Sequence, residues 1–126
     1  MSLKKVLFID DDEDLLSLVA LLLKEENIEV ISTTASLSVA EISAINPDLI
    51  LLDEWLRDKN GSEICKALKN TPGCSKIPVI LFSAVNNLST IAKQCAADAF
   101  IEKPFDIDKL VSIVNALICV ELTTKI

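Results

Sequence analysis

Two short apolar runs end directly in carboxylates, and no other feature limits the fold so tightly. Val6-Leu7-Phe8-Ile9 runs into Asp10-Asp11-Asp12, and Leu49-Ile50-Leu51-Leu52 runs into Asp53. Neither run alternates apolar with polar residues. Each therefore predicts a strand covered on both faces, as in a parallel sheet between two helix layers. Acids at the ends of two such strands predict one acidic pocket at a sheet edge. Carboxylates gathered there are costly unless something positive joins them, and a hard divalent cation with a nearby lysine is the usual solution.

The rest of the chain alternates in the same way. Leu15, Leu18, Val19, Leu22 and Leu23 recur at helical spacing and predict a helix from Asp12 to Glu26. Acids in its first turn suit the helix dipole. A strand is predicted from Ile28 to Ile31, then a helix from Ser36 to Ile45 stopped by Asn46-Pro47. After the strand Leu49 to Leu52, the polar turn Arg57-Asp58-Lys59-Asn60-Gly61 leads into a helix from Ser62 to Lys69. Val79 to Phe82 and Ala99 to Ile101 read as strands, with a short helix from Leu88 to Cys95 between them. A helix from Asp106 to Glu121 follows. Five strands alternating with five helices predict an α/β, doubly wound parallel sheet with helices on both faces. In open sheets of this kind the site lies beyond the carboxyl ends of the strands. Asp10, Asp53, Ser83 and Lys103 each fall at such an end and should converge on one rim.

Composition narrows the function classes. The chain has 126 residues, enough for one domain with a sizeable core. Its net charge of −7, with no basic stripe, argues against nonspecific nucleic-acid binding. No apolar run is long enough to span a membrane, and no N-terminal segment reads as a secretion signal, so a cytoplasmic protein is expected. There is no histidine, and Cys65, Cys74, Cys95 and Cys119 form no C-x-x-C. A zinc site, a histidine base and a phosphohistidine are therefore not expected, and the cysteines read as free thiols in a reducing cytosol.

Several side chains are candidates for chemistry, each with a plainer reading beside it. Asp10, Asp11 and Asp53 could together hold Mg²⁺, which favours oxygen ligands and phosphate. Asp11 and Asp12 could instead cap the first helix, and Asp53 could be a strand-end turn residue. Lys103 could neutralise an anion at the acid cluster or be a surface lysine, and the following Pro104 allows a cis peptide that turns the lysine inward. Ser83 offers a hydroxyl to a bound anion or caps a helix.

Taken in order, these segments resemble the receiver domains of two-component response regulators. The motifs that carry the likeness are Val6 to Asp12, Pro47 to Asp53, Gly61, Ile77 to Ala84 and Ala99 to Phe105, and it covers residues 4–120. The resemblance implies one receiver domain over 1–126, with a flavodoxin-like strand order 2-1-3-4-5. Asp53 would be the phosphoacceptor. Asp10, Asp11, Asp53 and the backbone carbonyl of Trp55 would hold Mg²⁺. Ser83 and Lys103 would bind the phosphoryl oxygens, and Phe100 would occupy the aromatic switch position beside Ser83. A Phe lacks the tyrosine hydroxyl, so burial of the ring in both states and weaker coupling are expected. The implied donor is a sensor histidine kinase or a histidine phosphotransfer protein, which supplies the histidine this chain lacks. The chain ends soon after its last helix, so a stand-alone, chemotaxis-regulator-like switch is expected, acting by binding a downstream protein. That helix carries two apolar stripes, Leu110, Ile113, Val114 and Leu117 and beside them Ile107, Val111 and Ile118; one is expected in the core, and the other marks either a docking or phosphorylation-dependent dimer surface or simply a deeply seated helix.

The chain departs from the family pattern at four places. Arg57 replaces a frequent proline, Glu54 a frequent apolar residue, and Ala96 stands near a frequent glycine. The segment from Ser83 to Lys103 is short, which predicts a shortened fourth helix. Glu54 is expected either to add acidity near the site or to point to solvent. Trp55 and Val85 offer no group to orient water, so slow self-dephosphorylation is expected. Two other readings compete. One is a haloacid-dehalogenase-type phosphatase with Asp10 as nucleophile and Asp12 as acid/base, which leaves Asp53 unexplained. The other is a constitutive docking module. An FMN site is disfavoured because neither Gly61 nor Gly73 makes a phosphate-cradling loop.

Overall fold

The structure is a computed structural model and describes residues 3–118. The strands are β1 (Lys4–Ile9), β2 (Ile28–Thr33), β3 (Leu49–Leu52), β4 (Val79–Ser83) and β5 (Ala99–Glu102). The helices between and after them are α1 (Glu13–Lys24), α2 (Val39–Ile45), α3 (Gly61–Lys69), α4 (Leu88–Gln94) and α5 (Ile107–Ile118). All strand pairs are parallel, in the order β2-β1-β3-β4-β5. Fold class and strand order agree with expectation. Positions 119–121 of the expected final helix, and Cys119, lie outside the described residues.

The apolar runs explain the layering. Successive strand side chains point to opposite faces, so each run feeds two cores. Leu7, Ile9, Ile50, Leu52, Val79 and Leu81 pack with residues of α2, α3 and α4. Val6, Phe8, Leu49, Leu51, Ile80 and Phe82 pack with residues of α1 and α5. Each such side chain contributes about 1.5–3 kcal/mol of burial, and a polar residue anywhere in these runs would face a core.

Several element ends differ from the sequence expectation, and local hydrogen bonding gives the reason. Asp12 lies outside α1 and caps it, accepting from the Leu15 N–H at 3.1 Å. The second helix starts at Val39 because Ser38 and Glu41 form a reciprocal capping box, each side chain accepting from the other's backbone N–H. Ser83 is the last residue of β4 and pairs in register with Glu102, so it does not cap a helix. The short α4 has 7 residues, in line with the shortened segment.

Both α5 stripes contribute to the core, as a deeply seated helix does. Leu110 and Val114 are buried and Ile113 and Leu117 half-buried. Of the second stripe Ile118 is buried against the α1 side of the sheet, Val111 is half-buried and Ile107 alone is exposed.

Candidate functional site

Register brings the carboxylates together. Ile9 pairs with Leu52, so Asp10 and Asp53 leave adjacent strands side by side, and the Asp53 N–H donates to the Ile9 carbonyl at 3.0 Å. On the other side of β3, Leu52 pairs with Leu81, and Ser83 ends that strand two residues later. The Lys103 N–H then donates to the Ser83 carbonyl at 2.9 Å, which fixes where the lysine begins. Asp10, Asp53, Ser83 and Lys103 thus converge on one rim.

The electrostatics of the rim centre on Asp10. It is fully buried, at 0% exposure. One carboxylate oxygen accepts the Asp12 N–H at 3.0 Å and the other the Lys103 ammonium at 2.7 Å. Burial pushes its pKa above the ordinary carboxylate value, with the Asp53 charge acting in the same direction; the Lys103 and Asp12 donors offset only part of that. Lys103 reaches Asp53 at 3.8 Å. Its ammonium also lies 5.1 Å from the centroid of the Phe82 ring, which stacks with Phe8 and meets Phe105 edge-on. The Phe82 ring thus gives the ammonium a cation–π contact beside its carboxylate partners. The Lys103–Pro104 peptide is cis.

Oxygens of Asp10, Asp11 and Asp53 lie within 4.8 Å of one another. An all-carboxylate set suits Mg²⁺ or Ca²⁺ and not zinc. The donor set fits. Ser83 is 1% exposed, and its Oγ is the one buried side-chain polar atom without a hydrogen-bond partner among the described residues. An unsatisfied buried hydroxyl facing an acidic rim marks a place for a ligand oxygen.

The other candidates stand further out. Asp11 is exposed, and Asp12 is spent capping α1, which removes the acid/base that the phosphatase reading needs. Trp55 is 61% exposed and pairs with Asn60 across the loop after β3. Phe100 pairs in register with Leu81, and its ring is half-buried against the core under α3 and α4. The burial favoured for it is partial, the ring lining a groove with Ser89, Lys93 and Ala97.

Glu54 is the residue whose placement the sequence did not reveal. It neither faces solvent nor joins the acid cluster. It is buried at 4% exposure, and its carboxylate accepts the Ser62 N–H at 2.7 Å and the Ser62 hydroxyl at 2.9 Å. The only available signal was an acid placed directly after Asp53 at the end of a buried strand.

Similarity to known proteins now decides the family. Residues 6–115 match the response regulator receiver domain family. The chain belongs to it. This receiver is 37% identical over 114 residues to the nitrogen assimilation regulatory protein NtrX of Azorhizobium caulinodans, covering 86% of this chain and 24% of that protein. It is 31% identical over 118 residues to the transcriptional regulatory protein CpxR of Escherichia coli K12, covering 92% of this chain and 50% of the relative. It therefore spans a quarter to a half of these relatives' lengths. Among solved structures, the Francisella response regulator 1452 receiver domain superposes with a TM-score of 0.76 at 26% identity, covering 91% of this chain and 96% of that one. The buried acid pair, its lysine and the unpartnered serine hydroxyl form the rim of a receiver, and the family's role is that of a signalling switch. No helix of the described residues is long and apolar enough to cross a membrane.

Proposed function

We propose that Asp53 accepts a phosphoryl group from a phosphohistidine on a sensor kinase or phosphotransfer protein and that the resulting aspartyl phosphate switches a protein-binding surface. The observation that supports this most is the gathering of three carboxylates within 4.8 Å of one another beside Lys103. In the transfer, a carboxylate oxygen of Asp53 attacks phosphorus, the P–O bond forms, the P–N bond to the donor histidine breaks, and the electron pair leaves with the imidazole. Phosphoryl transfer needs positioning and charge stabilisation more than proton removal, so a chain without histidine suffices.

Asp10, Asp11, Asp53 and the Trp55 carbonyl would hold Mg²⁺, which when bound offsets charge on the transferring oxygens. Lys103 takes a phosphoryl oxygen and the Ser83 hydroxyl donates to another. Phe100 responds to the Ser83 movement with weaker coupling than a tyrosine gives. Trp55 and Val85 leave water unoriented, which favours a long-lived phosphoryl group. Residues 1–126 act as one receiver domain, in the cytoplasm. The downstream partner docks on the face carrying Ile107, and phosphorylation favours a homodimer.

Intact mass after incubation with acetyl phosphate tests the reading. Addition of a phosphoryl group that requires Mg²⁺ and disappears in Asp53→Ala is the expected result. Addition that survives in Asp53→Ala but is lost in Asp10→Ala would overturn it in favour of a phosphatase-type nucleophile. No addition from acetyl phosphate or from a phosphorylated histidine donor protein would leave only a docking role.

A further inference from the structure

The loop that carries Trp55 is closed at its base by a set of contacts around one side chain. The Gly61 N–H donates to the Glu54 carbonyl at 2.9 Å. The next residue, Ser62, gives both its N–H and its hydroxyl to the Glu54 carboxylate. Two of the otherwise free N–H groups in the first turn of α3 therefore end on Glu54, one on its backbone and one on its side chain. A carboxylate at a helix N-terminus is also favoured by the helix dipole. Gly61 itself sits so close to β3 that a Cβ there would lie 2.1 Å from the Asp53 carbonyl oxygen. Between these ends, Trp55 and Asn60 form a bridge across the loop. The carboxylate thus bolts the residue after the phosphoacceptor to the start of α3.

We propose that Glu54 is a positioning residue, whose buried carboxylate fixes the backbone of the loop after β3 and so sets the divalent-cation affinity of a site it does not touch. The inference rests on the receiver reading above, in which the Trp55 carbonyl is a cation ligand. The physical reason is the shortness of the lever. Trp55 is bonded directly to Glu54, so freedom at Glu54 becomes freedom in the direction of the next carbonyl. A buried carboxylate with two donors, one of them a helix N–H, makes strong charge-assisted hydrogen bonds that hold that direction. Groups that orient metal ligands from behind alter affinity about 10–100-fold when removed.

The test uses the chain's own reporter, because Trp55 is its only tryptophan. Mg²⁺ is titrated against Trp55 fluorescence, and the rise of Tm with Mg²⁺ gives a second, independent measure of affinity. The variants are Glu54→Ala, Glu54→Gln and Ser62→Ala, each checked for a folded far-UV spectrum. The expected result is an Mg²⁺ Kd raised about tenfold in Glu54→Ala and near the unsubstituted value in Glu54→Gln, which keeps an acceptor for the Ser62 N–H. Equal weakening in Glu54→Gln and Glu54→Ala would assign the effect to long-range charge and overturn the positioning role. A folded Glu54→Ala with unchanged affinity would overturn it as well. Should Glu54→Ala not fold, Ser62→Ala decides: a smaller rise in Kd supports the role, and no change sinks it. Absence of Mg²⁺ binding by the unsubstituted chain would instead bring down the receiver-switch reading beneath the inference.

Discussion

Lys103 stands 2.7 Å from a carboxylate oxygen of Asp10 and 3.8 Å from one of Asp53. The lysine therefore serves mainly the more deeply buried acid and leaves Asp53 comparatively free. Breaking a buried pair leaves the remaining charge uncompensated, and that cost normally exceeds the net worth of the pair. Lys103→Met is expected to destabilise the chain by about 2 kcal/mol, less than a fully buried pair because the lysine side chain is 20% exposed. The same substitution in an Asp10→Asn background should cost much less, giving a coupling energy of about 1–2 kcal/mol in a double-mutant cycle. Urea denaturation of the four proteins checks this, and additive losses would show that the pair is not the unit described here.

Asp10→Asn alone should raise stability while abolishing Mg²⁺-dependent phosphorylation. Burial holds the Asp10 carboxyl above its ordinary pKa, so the folded state binds its proton more tightly than the unfolded chain does. The sign follows from that. The penalty for ionised Asp10 is absent below the unfolded pKa and grows as pH rises through the folded one. In buffer without divalent cations the asparagine variant is therefore expected to melt roughly a few degrees higher at neutral pH, with the gap closing as pH falls. A variant that melts lower at neutral pH, or a gap that widens on acidification, would contradict the assignment.

Ser83→Ala separates stability from function in a different way. The Ser83 hydroxyl is buried without a partner among the described residues. Removing an unsatisfied buried group is neutral or favourable, so the alanine variant should be unchanged or stabilised by up to about 1 kcal/mol. Its phosphorylation by acetyl phosphate is expected to slow about tenfold, the worth of one hydrogen bond to a charged oxygen. A clear loss of stability by denaturation would mean that the hydroxyl has a structural partner.

The sequence made the rim legible because its controlling quantity, burial of a strand on both faces, is written as an unbroken apolar run. From such runs the positions of Asp10, Asp53 and Lys103 at one edge follow directly, and strand order came with the family likeness. Side-chain partners between segments were less legible. Glu54 looked like either a surface acid or an extra site acid, because its partner Ser62 lies 8 residues on, beyond a loop whose path no local pattern gives. The start of α2 could have been read, since Ser38 and Glu41 show the S-x-x-E spacing of a capping box. The burial of Ile118 was not readable from helical spacing alone, since both stripes of α5 satisfy that spacing and only packing against β-strand residues distinguishes them.

Ala96 carries a strain that glycine would relieve. It has φ = 63°, a left-handed backbone that costs a residue with a Cβ about 1–2 kcal/mol. The reason is the end of α4. The Ala97 N–H returns to the Ala92 carbonyl at 2.9 Å and the Ala96 N–H to the Lys93 carbonyl at 3.3 Å. That pair of bonds is a Schellman closure, whose left-handed position is normally glycine. Ala96→Gly removes the steric cost and adds unfolded-chain freedom worth about 0.4–1 kcal/mol in the opposite direction. The net expectation is a gain of about 0.5–1 kcal/mol, seen as a Tm about 2–4 °C higher with an unchanged urea m-value. Ala96→Val should move Tm the other way, because a β-branched side chain tolerates positive φ worse than alanine does. Since α4 leads directly into β5 and Phe100, the glycine variant also shows whether the strained turn matters to switching. Equal phosphorylation rates in Ala96→Gly and the unsubstituted chain would confine the strain to stability.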